Sequence, residues 1–407
     1  MPKDPWYLDK TLRNNAIQAL SGLLELMSLN FRDDTGSTSA MSLLDRNIDS
    51  SSLRCAQAPE RCGQEPVTEF APAVHGGNDN PTMMSVGGEN VRFIFGMPRS
   101  GTSWLAKIFD SHPDVLYRHE PDIVLRDAGF PTFCRFEEIE SFRDHASAYL
   151  DQLVNVLTLK AAGSLPLFPK RYQNPLAQYL RLVMVYGLRL AETFLPSDRW
   201  SRYIQIPDLV KRQYQLTPTV VIKSVSACGR ARLYTEALPA SRTIFIIRHP
   251  CGQVASMMRG IALGKLTGNP GVPLSADHVS RFGLTARKFD AMPLAEKLAW
   301  SWAIMNQKVL DDLSGNPRVR IVRYRDLCAE PAKIARDLLV FSGLSWEPQT
   351  ADFIERSTHY SGPDRYYKVM KNSVAALNRW RTELSLDDQR RILVIANQVP
   401  AGGMFLD

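Results

Sequence analysis

The sequence predicts an α/β protein, a mainly parallel sheet with helices on both faces in three layers. Short apolar runs rich in β-branched and aromatic residues, VRFIFG (91–96), TVVIK (219–223), TIFII (243–247) and VRIVRY (319–324), lack polar alternation, as strands buried on both faces do. Helical segments alternate with these runs, and three of the four open directly into a helix signal, the pattern of strand–helix–strand crossovers. The first junction, Gly96-Met97-Pro98-Arg99-Ser100-Gly101-Thr102-Ser103, is a glycine-bounded turn from strand into helix.

Taken in order, residues 14–29 place Ile17, Leu20, Leu24 and Met27 at helical spacing, so an amphipathic helix is expected near the start. From Arg32 to Asn90 the chain turns to Ser, Gly, Asp, Asn and Pro without a sustained period. A flexible arm is expected there, giving an N-terminal helix and arm over 1–90 ahead of a domain over 91–407. The first strand leads into a helix at about 101–111 and then a short strand-like VLY (115–117). Apolar helical blocks at 137–162 and 175–196 form an expected insertion of about 137–197. Helices follow at about 250–259, 294–313, 331–342 and 386–398, the third with Pro331 in its first turn and Gly343 just past its end.

The 407 residues are 44% apolar and 22% charged, which excludes collagen-like, low-complexity and disulfide-scaffold classes. Residues 1–90 hold 7 Lys and Arg against 12 Asp and Glu, and residues 91–407 hold 42 against 30. The basic excess therefore lies in the predicted domain, and it suits nucleic acid, an anionic membrane surface or an anionic small molecule such as a nucleotide. Cys55, Cys62, Cys134, Cys228, Cys251 and Cys328 are scattered, with neither CxxC pairs nor a Cys/His cluster, so no zinc site or disulfide framework is indicated. No apolar run reaches the 18 or so residues of a membrane span, and MPKDPWYLDK lacks a signal-peptide core. A soluble, cytoplasmic chain is the expectation.

The 96–103 turn has phosphate-loop geometry, in which backbone N–H groups and the helix N-terminus converge on an anion. Its spacing is that of G-x-x-x-x-G-K-[ST], except that Thr102 stands where the Lys should be. The missing Lys would reach the terminal phosphates of a nucleoside triphosphate, so an ATPase, GTPase or kinase is disfavoured. Arg99 offers a cation inside the loop instead. A metal-binding Asp is also absent from the end of the 219–223 strand, where Lys223 stands.

PRSGTSWLAKIFDSHPDVLYRHEP (98–121) resembles the 5′-phosphosulfate loop of the sulfotransferases that use 3′-phosphoadenosine 5′-phosphosulfate (PAPS). That resemblance implies a P-loop-like sulfotransferase fold and PAPS as sulfuryl donor, with 3′,5′-ADP as product and no metal required. It also implies that Ser100, Gly101, Thr102 and Ser103 cradle the phosphosulfate while Arg99 neutralises charge on the leaving oxygen. Trp104 flanks the nucleotide or packs beside the sheet. TIFIIRHPCGQVASMMRG (243–260) is similar to the family's 3′-phosphate motif, which assigns Arg248 and Ser256 to that phosphate with Arg259 close by. VRYRDLCAEPAKIARDLLVFSGLSW (322–346) resembles a later family segment, although Arg325 stands where Glu is usual, and Tyr324 falls where relatives contact the nucleotide. ERST (355–358) and ALNRW (376–380) look like the loop that closes over PAPS, which makes Ser357 and Arg379 candidate ligands, with Trp380 and Arg381 contacting or bracing it.

Transfer to a hydroxyl needs a base, and carbohydrate and protein-tyrosine sulfotransferases place a Glu where Glu120 stands, making it the leading candidate with His119 the rival. Strand alternation allows only one of these neighbours to face the donor easily. Lys223 contacts the donor sulfate or the acceptor, or snorkels from a strand end. Lys160, Lys170, Arg171, Lys211 and Arg212 attract an anionic acceptor or form a solvated basic face. The acceptor pocket is expected from the helical insertion and from 260–293. A carbohydrate or glycolipid hydroxyl is the leading acceptor, ahead of a small alcohol or phenol and a protein tyrosine. A non-catalytic nucleotide-binding module is the alternative of another class, and nucleic acid is not needed to explain the charge.

Overall fold

The computed structural model describes residues 90–127, 129–194, 204–211, 217–266, 279–280, 282–359 and 373–405. The expected N-terminal helix and nearly all of the arm lie outside the described residues, as do Arg212 and 267–278 of the 260–293 stretch.

Five strands, β1 (Val91–Phe95), β2 (Val115–His119), β3 (Thr219–Ser224), β4 (Arg242–Ile247) and β5 (Val319–Arg323), form one sheet in the order β2-β3-β1-β4-β5. Every pairing is parallel. After β1 the helices are α1 (Thr102–Asp110), α2 (Pro121–Val124), α3 (Ile139–Val154), α4 (Leu159–Ala162) and α5 (Pro175–Phe194). Next come α6 (Ala231–Ala237), α7 (Pro250–Ala262), α8 (Ala286–Asp290) and α9 (Leu294–Leu313). The chain ends with α10 (Tyr324–Ala329), α11 (Pro331–Phe341), α12 (Pro348–Thr358), α13 (Ser373–Asn378), α14 (Trp380–Glu383), α15 (Leu386–Ala396) and α16 (Pro400–Gly403).

Side-chain alternation along the strands makes the three layers. Phe93, Phe95, Val220, Ile222, Phe245 and Ile247 join a core cluster with residues of α3, α6 and α9, among them Leu150, Tyr234 and Trp302. The intervening Ile94, Val221, Ile244 and Ile246 join a second cluster with Leu105 and Ile108 of α1, Leu338 of α11 and Phe353 of α12. Strands covered on both sides need no polar face, which is why they read as unbroken apolar runs.

The expected strand at 115–117 extends to His119. Arg118 and His119 pair with Ile222 and Lys223, and Arg118, only 1% exposed, is neutralised by a two-pronged pair with Asp208 (3.0 and 2.5 Å). A buried ion pair closed from a distant segment hides a strand behind polar letters. Conversely, Tyr324 opens α10 rather than ending a strand. The helical insertion is interrupted at Asn155–Thr158 between α3 and α4. Among the described residues no helix is long and apolar enough to cross a membrane.

This strand order creates a switch point. The chain leaves β1 toward β2 and β3 on one side, then crosses to β4 and β5 on the other, so the loops after β1 and β4 diverge from neighbouring strand ends. Open parallel sheets bind ligands in such crevices.

Candidate active site

The first side of the crevice is the turn between β1 and α1. Gly101 adopts φ 105°, and a Cβ there would lie 2.4 Å from the Tyr324 ring, so only glycine fits. Gly96 is equally confined, its Cβ position falling 2.6 Å from Ser100 Oγ and 2.7 Å from the Ile246 carbonyl. The turn closes through Ser100 N–H donating to the Met97 carbonyl (3.1 Å), and Trp104 and Leu105 N–H to that of Gly101. This leaves Ser100 Oγ buried without a hydrogen-bond partner. Buried hydroxyls are rarely left so, and this one lies just ahead of the α1 N-cap, Gly101, where the helix dipole favours an anion.

Opposite stands the end of β4. Arg248 donates to the Arg99 carbonyl (3.0 Å) and to the Ala376 carbonyl (2.9 Å), and its guanidinium lies 4.8 Å from the Tyr324 ring centre. Its Nε is buried with no partner. Arg99, itself at φ 70°, donates from Nε to Ser256 Oγ on α7 (3.1 Å). Arg99, Ser100, Gly101, Arg248, Ser256 and Tyr324 are thus brought together from three separate stretches. Burial, with Arg259 and Arg379 nearby, holds the Arg248 pKa below the usual arginine value. Cations that oppose one another in this way favour an anion between them. Trp302 Nε1 donates to the Arg248 carbonyl (2.9 Å), while Trp380 stacks on His249 at 4.5 Å and so braces the strand end.

The carboxylate lies at the ends of β2 and β3. Glu120 adopts the left-handed conformation (φ 50°, ψ 50°), its N–H donates to the Lys223 carbonyl (2.8 Å), and it caps α2. Such a conformation in a non-glycine residue costs on the order of 1–2 kcal/mol and concentrates at functional sites. Among the described residues only Arg99, Glu120 and Leu209 have a positive φ without being glycine, the first in the β1–α1 turn and the second at the end of β2. The Glu120 carboxylate accepts a hydrogen bond from Lys223 Nζ, and Lys160 Nζ stands 3.8 Å from its other oxygen. Burial alone would push the Glu120 pKa up. Lys223 first, then His119 and Lys160, overcome this and pull it down to about 2. His119 turns instead to the Tyr117 hydroxyl (2.8 Å), and burial plus Lys223 lowers its pKa to about 3, leaving a neutral imidazole.

A family model described as the sulfotransferase family matches residues 93–348, a span that contains both sides of this crevice. The chain belongs to the sulfotransferase family. A 79-residue segment is 33% identical to carbohydrate sulfotransferase 5 of Mus musculus, covering 18% of this chain and 20% of that protein. Over the same length it is 40% identical to carbohydrate sulfotransferase 6 of Homo sapiens, with equal coverage. The match therefore spans about a fifth of the length of these curated relatives. Among solved structures, a sulfotransferase domain from the curacin biosynthetic pathway aligns at TM-score 0.35 and 19% identity, covering 76% of this chain and 96% of that one. A mouse sulfotransferase complexed with PAP aligns at TM-score 0.38 and 12% identity, covering 78% and 88%.

In this sulfotransferase-family chain, two nucleotide candidates are occupied with each other. Trp104 Nε1 donates to Ser357 Oγ (3.0 Å), with Ser357 fully buried and Trp104 at 8% exposure in the core. Thr102 is buried and Ser103 half-buried in the first turn of α1, and Arg379 is half-buried just ahead of α14. Lys223 does not snorkel. It is 1% exposed and its charge is met inside by Glu120. Lys170 is no surface cation either, for at 3% exposure it pairs with Asp110 (3.0 Å), which also holds Lys107 (2.6 Å). Arg171 is tied to Asp114 and Glu347, both at 2.5 Å, and Lys211 is exposed. Sequence reasoning missed Asp122, which accepts from Ser224 Oγ (2.6 Å) and Ser226 Oγ and so shapes the turn after Lys223. Its position two residues after Glu120 was the available signal.

Proposed function

We propose that this chain transfers a sulfuryl group from PAPS to a hydroxyl of a carbohydrate or glycolipid. The observation that carries the reading is the occurrence, at the C-terminal edge of one parallel sheet, of an anion cradle without a P-loop lysine and a buried carboxylate–lysine pair. The donor fits the residues present: an orphaned Ser100 hydroxyl, an orphaned Arg248 Nε and a turn closed by two obligatory glycines. Ser100, Gly101, Thr102 and Ser103 hold the 5′-phosphosulfate, and Arg248 with Ser256 holds the 3′-phosphate. Tyr324 and Arg379 line the nucleotide side.

In the transfer the acceptor oxygen forms a bond to sulfur as the bond from sulfur to the bridging oxygen breaks, and the electron pair leaves with 3′,5′-ADP. Glu120 takes the acceptor's proton. A carboxylate with a pKa of about 2 is a weak base, so Lys223 has a second task. By turning toward the sulfuryl group it stabilises charge there, beside Arg99, and releases Glu120 to a higher basicity. The carbohydrate acceptor draws support from the printed names of the two curated relatives. The test is transfer of ³⁵S from labelled PAPS to sugars, glycolipids, phenols and tyrosine peptides, with and without EDTA. EDTA-insensitive label on a sugar or glycolipid is expected. Binding of 3′,5′-ADP with no transfer to any acceptor would contradict the reading.

A further inference from the structure

Lys160 is the one outward-facing residue of α4. Leu159, Ala161 and Ala162 are buried, and Leu159 and Ala162 pack with Val185 of α5 and Ile206. The backbone around it is fixed on several sides: Thr158 Oγ1 caps α4 at Ala161 N–H (3.4 Å), Ile206 N–H donates to the Leu157 carbonyl (2.6 Å), and Arg189 donates to the carbonyls of Leu159 (3.0 Å) and Gly163 (3.1 Å). α4 also packs against β2, whose end carries Glu120. A rigid platform from the helical insertion therefore sets one lysine at the catalytic carboxylate.

That lysine is not needed to neutralise Glu120, because Lys223, at 2% side-chain exposure, already does so. At 3.8 Å and with 45% of its side chain exposed, Lys160 makes no hydrogen bond to the carboxylate. A half-exposed pair of this kind adds little to stability. Among the described residues Glu120 is its single ion-pair partner. With the imidazole of His119 neutral, two ammonium groups face one carboxylate, and the excess positive charge belongs to the half-exposed member. Its presence is also unhelpful to the bare base, since a second cation keeps Glu120 acidic. A negative group on the acceptor resolves both points, for it would engage the ammonium and deliver its own hydroxyl to Glu120. We infer that Lys160 recognises a carboxylate or sulfate carried by the acceptor near the hydroxyl that is sulfated.

This rests on the sulfuryl-transfer reading and names the acceptor class of the same site. The experiment compares ³⁵S transfer to three acceptors with the same free hydroxyls, methyl 3-O-methylglucoside, methyl 3-O-carboxymethylglucoside and methyl glucoside 3-sulfate, by the wild type, Lys160→Ala and Lys160→Arg. Wild type is expected to favour an anionic acceptor over the neutral one by about tenfold in kcat/KM. Lys160→Ala should erase that ratio through KM, and Lys160→Arg should keep most of it. Effects on the base act on all three acceptors alike and cancel in the ratio. The carboxylate and sulfate arms tell the two anion sources apart. Transfer without anionic preference, or a preference that survives Lys160→Ala, overturns this inference alone. Transfer to none of the three overturns the sugar reading and this inference with it.

Discussion

At the ends of β1 and β4 the candidate donor-binding groups come mainly from two contiguous stretches, 96–103 and 248–256, whereas at the ends of β2 and β3 a carboxylate and two lysines meet from positions 120, 160 and 223. The first region is an arrangement of backbone, its key features being glycines and a helix N-terminus. The second is an arrangement of side-chain charge whose balance depends on burial. Mutations should therefore separate binding from chemistry, the β1/β4 region governing nucleotide affinity and the β2/β3 region governing turnover.

The largest effect expected is on turnover. Glu120→Gln keeps an acceptor oxygen for Lys223 but cannot take a proton, so kcat should fall by roughly 10² to 10⁴ while the affinity for 3′,5′-ADP holds. Steady-state kinetics beside calorimetric titration reads both, and unchanged turnover would break the division.

The next effect is structural and sharpens the comparison with a control. Asp110 meets two buried lysines, and burial has already pulled the Lys107 pKa down to about 8. Asp110→Asn leaves both cations uncompensated and should cost about 3–5 kcal/mol of stability in a denaturant titration. Asp110 is met by two buried lysines and Glu120 by one, and only the Glu120 pair should couple to turnover.

Arg248→Ala removes a charged donor and should weaken 3′,5′-ADP binding by about 10- to 100-fold, corresponding to 1.5–3 kcal/mol, with a smaller change in kcat. Loss of turnover with intact affinity would reverse the assignment of the two regions.

A smaller effect lies in pH dependence. Glu120 has a folded pKa of about 2, below its ordinary 4.5, so its contribution to stability is complete above about pH 4.5 and is lost as pH falls toward 2. The stability advantage of the wild type over Glu120→Gln should shrink by on the order of 2 kcal/mol across that window, measured by chemical unfolding at successive pH values. A gap independent of pH would mean that Lys223 does not hold the carboxylate.

The contrast also explains what the sequence could reveal. Gly96, Gly101, Arg99, Arg248 and Ser256 were legible because strand-to-helix turns impose residue types at fixed spacing. The sheet was legible for a similar reason, since doubly covered strands must be apolar throughout. The burial of Lys223, the Lys170–Asp110 pair 60 residues apart and the Trp104–Ser357 hydrogen bond 253 residues apart were not, because each depends on tertiary neighbours that no local pattern specifies. The strand-like pattern stops at Tyr117 for the same reason, since the counter-charge that lets Arg118 be buried is Asp208, 90 residues away.

In the proposed donor complex the crevice between β1 and β4 holds a nucleotide bisphosphate, its 5′ end at the β1 turn and its 3′-phosphate at Arg248. Calorimetric titration of the full chain with 3′,5′-ADP, and with ATP plus Mg²⁺ in competition, tests it most directly. One site for 3′,5′-ADP that excess ATP displaces poorly is expected, and binding of ATP in preference to 3′,5′-ADP would contradict this assignment.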